Sequence, residues 1–391
     1  MVKSFRSFFI AALAIFISSP SYTQTALPVG FSLEELEQMQ SRNYQDPYYE
    51  ASGITTPPSL PVRAMAQWEE IQALTITWTT YESVLRDIVR AARLETQVYI
   101  VCGSQCSGST DSVSVKNYLT SGGVALSNVH CVYAPCNSVW TRDFSANPCY
   151  LNDVDSLILV DWKYNRSTRP KDDTVSHTLA RVLKIPLYET TQGANLLVHT
   201  GGNYMSDGLG TAFSSKLILT ENSAKTETQV NSIMHDFMGI NRYIKMSVLP
   251  YDGIHHIDMH MKLLNEETLI IGKYPAGTAD GPQIEANLQY VLSNFNSVFG
   301  KPYKIIRIPQ PPDQVNGFTY PDNNGNYLTY TNSSIINKTI IVPQYYAQYD
   351  TTALRIFRDA MPGYNVVGIN SNSTISASGS LHCITHSIGV S

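Results

Sequence analysis

Short apolar runs alternate with amphipathic helical patterns along most of the chain. Residues 73–78 read ALTITW, residues 84–95 carry apolar positions on one helical face, and residues 97–101 form another short apolar run. Runs of this length predict strands, and a period near 3.6 predicts helices. The same alternation returns at residues 157–162, 216–220, 226–238, 268–272, 284–299 and 339–343. We therefore predict an α/β protein, with a single domain over residues 62–391 because no linker-like stretch divides it.

The N-terminus has the order of an export signal. Lys3 and Arg6 precede the apolar run from Phe8 to Ile17, and small residues follow at Ser18 and Ser19. This order predicts a signal peptide over residues 1–23. A run this short does not span a bilayer, which needs about 20 apolar residues. The protein is predicted to be exported to the periplasm or the extracellular space, with no membrane span after signal removal.

Residues 24–61 are predicted to form an N-terminal extension. They are rich in Ser, Thr, Pro, Gln and Tyr, with one helical pattern from Leu33 to Met39. Ser32 can cap this helix, because Glu35 stands at the third position of a capping box.

Composition and charge exclude several classes of function. Hydrophobic residues make up 43% of the chain, charged residues 15%, and the formal net charge is -5. The chain therefore has neither the signature of a disordered protein nor the basic surface of a nucleic-acid binder. The common sequence signatures of dinucleotide-binding, P-loop and zincin-type sites do not occur.

If the protein is exported, its six cysteines are candidates for disulfide bonds. Five of them fall between Cys102 and Cys149 and could form up to two disulfides in an oxidising compartment. Their spacing does not fit a zinc site well. Cys383, near the C-terminus, is the candidate reactive thiol.

Polar and apolar residues alternate from His256 to Met261. On a strand, His256, Asp258 and His260 would share one face. A histidine two residues from a carboxylate suits acid–base work beside a cation. The alternatives are a polar core network, a solvated edge strand, or a divalent metal held by the three side chains.

Three further motifs contain candidate chemistry. Residues 140–144 read WTRDF, residues 200–208 read TGGNYMSDG, and residues 381–386 read LHCITH. Taken singly, each has an ordinary interpretation: a surface Arg–Asp pair, a hairpin turn, and a buried cysteine acting as a small hydrophobe.

Together and in this order, the motifs resemble the agmatine deiminase and bacterial peptidylarginine deiminase family. The resemblance runs from about Val62 to His386 and includes YTNSSIINKTIIVP, which contains Asn332. It implies a pentein fold, in which five ββαβ units surround a central active site. Asp143, Asn203, Asp258, Asn332 and Cys383 are separated by 60, 55, 74 and 51 residues, which is compatible with one site element per unit.

The resemblance also implies residue roles. Asp143 and Asp258 would bind a guanidinium, Cys383 would attack it as a thiolate, and His256 would act as acid and base. Asn332 would orient the site. Candidate substrate-binding residues are Trp140, Gly202, Asn203, Arg166 and Arg169. No metal or organic cofactor is implied.

Residues 165–170 read NRSTRP and bear on the choice of substrate. They are similar to the segment with which secreted relatives hold a substrate's C-terminal carboxylate, except that one extra residue separates Arg166 from Arg169. This favours a peptide ending in arginine over agmatine, which has no carboxylate. A solvated loop, agmatine as substrate, a metal-dependent hydrolase and a non-catalytic arginine-binding protein are the alternatives.

Overall fold

The computed structural model describes residues 27–40, 53–164, 166–313 and 327–390. The predicted signal peptide and Asn165 lie outside these ranges. No helix within the described part of the chain is long and apolar enough to cross a bilayer.

Seventeen strands and ten α-helices are found among the described residues. The strands are β1 Val62–Ala64, β2 Ile71–Thr77, β3 Gln97–Cys102, β4 Val129–Tyr133, β5 Asn147–Leu151, β6 Ser156–Trp162, β7 Leu187–Thr190, β8 Met205–Ser206, β9 Thr211–Ser215, β10 Arg242–Met246, β11 Met261–Asn265, β12 Thr268–Lys273, β13 Lys304–Pro309, β14 Ser334–Ile336, β15 Thr339–Gln344, β16 Asn365–Asn370 and β17 His386–Gly389. The helices are α1 Leu33–Gln40, α2 Glu82–Ala92, α3 Ser112–Ser121, α4 Thr141–Phe144, α5 Val175–Leu183, α6 Leu217–Glu221, α7 Glu227–Met238, α8 Gly281–Asn294, α9 Ala347–Ala360 and α10 Asn372–Ile375.

In the described ranges these strands form five sheets that share one pattern. The orders are β17-β2-β3-β4, β1-β5-β6-β7, β8-β9-β10, β11-β12-β13 and β14-β15-β16. Each sheet contains an antiparallel pair followed by a parallel pair. These antiparallel pairs are β17–β2, β5–β6, β8–β9, β11–β12 and β14–β15, and these parallel pairs are β2–β3, β6–β7, β9–β10, β12–β13 and β15–β16. A helix connects the two parallel strands in every case: α2, α5, α7, α8 and α9. This confirms the α/β class and reveals a ββαβ repeat that the sequence did not display.

Apolar patterning accounts for the helices and strands of each unit. Helix α2 buries Val84, Leu85, Ile88, Val89 and Ala92 along one face. Burying a side chain of this size typically contributes about 1.5–3 kcal/mol. Strands β2, β12 and β15, each in the middle of its sheet, are almost wholly buried, which is typical of strands covered on both faces.

Helix α1 forms where the sequence predicts it. The Ser32 amide donates to Glu35 Oε2 at 2.8 Å, and the Glu35 amide donates to Ser32 Oγ at 3.2 Å. Both bonds of the predicted capping box are therefore present.

The predicted strand through His256 and His260 is wrong. Ile257–Met259 is a 3₁₀ turn, and β11 begins only at Met261. His255, at φ 59°, turns the chain just ahead of it. The alternation of polar and apolar residues failed as a strand signal because both kinds are buried here: Ile257 is 0% exposed and Asp258 is 1% exposed.

One disulfide joins Cys106 to Cys136. Cys102, Cys131, Cys149 and Cys383 are free thiols. The sequence allows up to two disulfides among the five clustered cysteines, and the structure has one.

Candidate active site

Five predicted site residues occupy the same position in the five units. Each lies two to four residues ahead of the first strand of its antiparallel pair. They are Asp143 ahead of β5, Asn203 ahead of β8, Asp258 ahead of β11, Asn332 ahead of β14 and Cys383 ahead of β17. The ββαβ repeat therefore explains the sequence spacing of these residues.

Cys383 is held by Asn332 and faces Asp258. The Asn332 Nδ2 group donates to Cys383 Sγ at 3.2 Å, and Sγ lies 3.8 Å from Asp258 Oδ2. Asn332 Oδ1 accepts the backbone N–H of His382 at 3.0 Å. Burial raises the pKa of the Cys383 thiol well above its usual range, and the charges of Asp258 and Asp143 act in the same direction. The thiol is therefore protonated, and a further positive charge placed beside it would lower its pKa.

Asp258 belongs to a buried network whose partners the sequence did not indicate. His382 Nδ1 lies 2.6 Å from Asp258 Oδ2, and His382 Nε2 lies 2.7 Å from Gln67 Nε2. Lys262 Nζ donates to Gln67 Oε1 at 2.7 Å. This last bond orients the Gln67 amide so that its NH₂ group donates to His382 Nε2. The network thus selects the tautomer in which His382 Nδ1–H donates to Asp258.

Asp143 and His256 pack around Gly202. The Gly202 amide donates to Asp143 Oδ1 at 3.0 Å, and His256 Nδ1 lies 3.7 Å from the same oxygen. A Cβ atom added to Gly202 would lie 2.5 Å from His256 Nδ1 and 3.3 Å from Asp258 Oδ2. Glycine is required here because no side chain fits among these three groups.

Each of the two carboxyl groups keeps one oxygen without a hydrogen-bond partner. Among the described residues, Asp143 Oδ2 and Asp258 Oδ1 are buried and accept no hydrogen bond. Burial raises the pKa of Asp143 to about 7, although Arg166, the Gly202 amide, Arg169 and Arg142 oppose the shift. Burial, followed by the charge of Asp143, raises the pKa of Asp258 well above its usual range. Two such carboxyl groups beside a thiol suit a ligand that brings positive charge and N–H donors.

His256 is neutral in this environment. Burial lowers its pKa well below the usual range, and the charges of Arg166 and other neighbouring groups act in the same direction. Its Nε2 atom lies 3.0 Å from Thr200 Oγ1. A neutral imidazole beside Asp143 can accept a proton and pass it on.

Two buried cations complete the surroundings of Cys383. Arg142 is 7% exposed, which excludes the surface Arg–Asp pair as an interpretation of WTRDF. Its amide donates to the Cys383 carbonyl at 3.0 Å. Burial lowers the pKa of Arg142 to about 10 and that of Lys262 to about 7, while the charges of Asp258 and Cys383 oppose both shifts. Lys262 occupies a position on β11 that no sequence pattern marked.

Trp140 and Asn203 hold segments next to the site residues in place. The Trp140 indole donates to the Leu27 carbonyl at 2.7 Å. Asn203 Oδ1 accepts the Ser215 amide at 2.8 Å, and Asn203 Nδ2 donates to the Ser215 carbonyl at 3.5 Å. The Asn203 side chain therefore fixes the Gly201–Asn203 segment, a 3₁₀ turn rather than a hairpin, onto β9.

Arg166 and Arg169 are near the site and are paired within the chain. Arg169 forms a two-bond fork with Glu35, at 2.8 Å for each bond, and both side chains are 0% exposed. Arg166 lies 3.2 Å from Glu221 Oε1. The charges of both arginines oppose the rise that burial causes in the pKa of Asp143. The solvated-loop alternative is therefore wrong for these two residues.

The metal hypothesis for His256, Asp258 and His260 finds no geometric support. Within the described ranges, the acidic and histidine side chains that lie close enough together to share an ion are Asp161, His177 and Glu189. They lie on β6, α5 and β7. The His260 ring nitrogens have no hydrogen-bond partner there, and burial lowers the pKa of His260 to about 4.

Met259 lines a cavity of about 180 Å³. Met259 Sδ is 3.5 Å from Asn332 Nδ2, so the cavity reaches the surroundings of the nucleophile. Three carboxyl groups line it: Asp252, Asp280 and Asp313. An acidic cavity suits the approach of a cation.

The sequence model of the Porphyromonas-type peptidyl-arginine deiminases matches residues 61–388. The chain belongs to this family. Its members act on guanidino groups, so this deiminase is a hydrolase of C–N bonds.

Similar proteins include agmatine deiminases. A Vibrio parahaemolyticus protein named "Putative agmatine deiminase" is 22% identical over 373 residues, which is 85% of this chain and 98% of that protein. The agmatine deiminase of Enterococcus faecalis is 16% identical in structure comparison, with TM-score 0.71 over 86% of this chain and 99% of that one. A cysteine-to-serine variant of C. jejuni agmatine deiminase with substrate bound gives 18% identity and TM-score 0.68, over 84% of this chain and 96% of that one. These structural likenesses establish the fold that the deiminase shares.

Proposed function

We propose that this deiminase hydrolyses the guanidinium of peptidyl-arginine, in particular of a C-terminal arginine, to citrulline and ammonia. The observation that carries the proposal is the pair of unpartnered carboxyl oxygens on Asp143 and Asp258 beside the Cys383 thiol. A planar guanidinium offers paired N–H donors and a positive charge to such a site.

Substrate binding prepares the nucleophile. Burial and the two carboxylates raise the pKa of Cys383, so a guanidinium between Asp143 and Asp258 lowers it again by bringing a compensating charge. The same charge favours the ionised form of both carboxyl groups. The thiolate is then formed where the substrate carbon is held.

His256 transfers the protons in this mechanism. Neutral His256 accepts the proton that Cys383 loses, and Sγ forms a bond to the guanidinium carbon. His256 then returns the proton to the leaving nitrogen, and the bond between that nitrogen and the carbon breaks to release ammonia. The imidazole, neutral again, accepts a proton from water. That water attacks the thiouronium carbon, and the C–S bond breaks with its electron pair returning to sulfur. The hydroxyl proton of the intermediate passes to the Cys383 thiolate, the neutral ureido product leaves, and His256 releases to solvent the proton that it took from water.

Arg166 and Arg169 support the choice of a peptide substrate. Their charges act on the pKa of both Asp143 and His256, which supports a role for the two guanidinium groups beside the reacting groups. A substrate carboxylate can form a charge-assisted fork with an arginine, and agmatine has none to offer. The predicted export to the periplasm or beyond agrees with extracellular peptides as substrates, and we retain export as part of the proposal. We also propose that the five ββαβ units close around the site as a pentein.

Agmatine is the second candidate substrate. Arg169 is paired with Glu35 and Arg166 with Glu221, so each arginine already has a carboxylate partner within the chain. The acidic lining of the neighbouring cavity suits agmatine, a dication.

The experiment measures ammonia and ureido product from the exported chain and its Cys383→Ala variant. The substrates are a peptide ending in arginine, the same peptide amidated, free arginine and agmatine. Activity that requires Cys383 and favours the free carboxylate supports the proposal. Preference for agmatine supports the second candidate. Activity lost to a chelator but resistant to a thiol reagent would contradict the cysteine mechanism.

A further inference from the structure

The segment Leu27–Gln40 lies against residues that flank the candidate active site. Its Leu27 carbonyl accepts the Trp140 indole N–H at 2.7 Å, three residues ahead of Asp143. The Val29 amide donates to the Ala377 carbonyl at 3.0 Å, six residues ahead of Cys383. Val29 itself is 0% exposed. The backbone of Leu27 and Val29 therefore bonds to two segments that lead into the site, and backbone bonds of this kind commonly hold a peptide ligand.

Glu35 binds Arg169 as a substrate carboxylate would. Arg169 Nε and Nη2 each donate to one oxygen of Glu35 at 2.8 Å, and Thr168 Oγ1 donates to Glu35 Oε1 at 2.7 Å. The same guanidinium donates to the carbonyls of Pro28 at 2.7 Å and Gly30 at 2.6 Å. Burial acts to raise the pKa of Glu35, but the bonds and charge of Arg169 outweigh it, and the pKa is lowered. Glu35 is thus an ionised carboxylate in a bidentate fork.

Phe31 covers the second arginine. The guanidinium carbon of Arg166 lies 3.7 Å from the centre of the Phe31 ring, a cation–π contact in which the ring covers one face of the cation. Both arginines of NRSTRP are therefore engaged by the same short segment.

The reacting groups are closed off in this arrangement. Asp143, His256, Asn332 and Cys383 are each 0% exposed. The family match begins at residue 61, so the segment precedes the part of the chain that the family shares.

We propose that residues 27–40 form an internal inhibitor. It occupies the surface on which a substrate peptide binds, with Glu35 in the place of the peptide's terminal carboxylate. This inference rests on the proposed function and specifies its regulation and substrate class. A peptide with a free carboxylate must displace the segment from Arg169. A small guanidine without a carboxylate does not compete for Arg169.

The test uses the full-length chain with Glu35→Gln, which keeps the size of the side chain and removes its charge. Glu34→Gln is the matched control, because Glu34 is an exposed neighbour on the same helix. Phe31→Ala is the second variant, since it loosens the segment while leaving the Glu35–Arg169 pair in place. Thermal unfolding verifies that each variant is folded.

Two readouts separate this inference from the proposed function. The first is the rate at which iodoacetamide alkylates Cys383, followed by peptide mapping, which requires no turnover. The second is kcat/KM for the arginine-ending peptide and for its amidated form. We expect Glu35→Gln and Phe31→Ala to raise the alkylation rate about tenfold or more and Glu34→Gln to leave it unchanged. Glu35→Gln should raise kcat/KM for the free-carboxylate peptide more than for the amide.

A synthetic peptide of residues 27–40 provides the converse test. Added to the Glu35→Gln chain, it should slow Cys383 alkylation again, and the same peptide with glutamine at the Glu35 position should do so less effectively. Unchanged alkylation in both variants would overturn the inference whatever the activity. Faster alkylation without ammonia from any substrate would sustain the inhibitor and overturn the deiminase proposal.

Discussion

His382 and Asp258 are 124 positions apart in the chain, and His382 Nδ1 lies 2.6 Å from Asp258 Oδ2. His382 also precedes Cys383 directly, so one hydrogen bond ties the orientation of the carboxylate to the loop of the nucleophile. Lys262 and Gln67 fix the tautomer that makes this bond possible.

Replacing His382 should therefore weaken the positioning of Asp258. We expect His382→Ala to lower kcat/KM for the preferred substrate about 10- to 100-fold, the range typical of residues that orient a functional group. Because the lost N–H favoured ionised Asp258, the acidic limb of the kcat/KM profile should move to higher pH. His382→Gln, which retains an N–H donor, should recover part of both effects. His235→Ala, on an exposed histidine, is the control. A loss of stability with an unchanged pH profile would contradict a positioning role.

Activity should rise with pH through about 7. Burial raises the pKa of Asp143 to about 7 in the folded protein, and the ionised form is the one that binds a guanidinium. The profile of kcat/KM reports groups of the free enzyme and is the measurement to make. A profile flat from pH 5 to pH 8 would contradict this assignment.

The contribution of Asp143 to the free energy of unfolding should fall with rising pH, whereas its contribution to activity rises. The folded pKa of Asp143 exceeds its ordinary value of 3.8, so folding favours the protonated form, and the contribution of Asp143 to stability falls as pH rises from about 4 to about 7. Asp143→Asn does not titrate. The difference in free energy of unfolding between Asp143→Asn and the unmodified chain should therefore grow in favour of the variant between pH 5 and pH 8, as measured by denaturant unfolding.

Gly202→Ala should lower activity about 100-fold while the chain still folds. The added Cβ would lie 2.5 Å from His256 Nδ1 and 2.9 Å from Asp143 Oδ1, so one of these groups must move. Displacements of about 1 Å in such sites cost on the order of 100-fold in rate. Gly253→Ala is the matched control, because no atom lies within 4 Å of a Cβ placed there. Turnover and thermal unfolding of both variants test the prediction, and normal turnover by Gly202→Ala would refute it.

The Cys106–Cys136 disulfide should stabilise the segment that leads to Trp140. It closes a loop with a sequence separation of 30, for which chain entropy predicts about 3–4 kcal/mol. The next residues, Asn137 and Ser138, donate their amides to Asp172 Oδ1 at 2.6 and 3.0 Å. The double variant Cys106→Ala, Cys136→Ala should lose stability of this order in denaturant unfolding. A reductant should then destabilise the unmodified chain but not the variant.

Several features were determined by the sequence itself. The apolar runs predicted the α/β class, and the capping box at Ser32 and Glu35 predicted helix α1, because both signals depend on residues a few positions apart. The order of the motifs around Asp143, Asn203, Asp258, Asn332 and Cys383 indicated the family that the match over residues 61–388 established.

Only the tertiary structure decided which groups meet. The His256 segment alternates like a strand but forms a 3₁₀ turn. Both Ile257 and Asp258 are buried there, so alternation no longer distinguishes core from solvent. Arg169 and Glu35 stand 134 positions apart, and Asn332 and Cys383 stand 51 apart. Contacts over such separations leave no periodic trace in the chain, because the packing of the ββαβ units alone brings these loops together. The bond between Glu35 and Arg169, which joins α1 to the segment at residues 165–170, was accessible only in three dimensions.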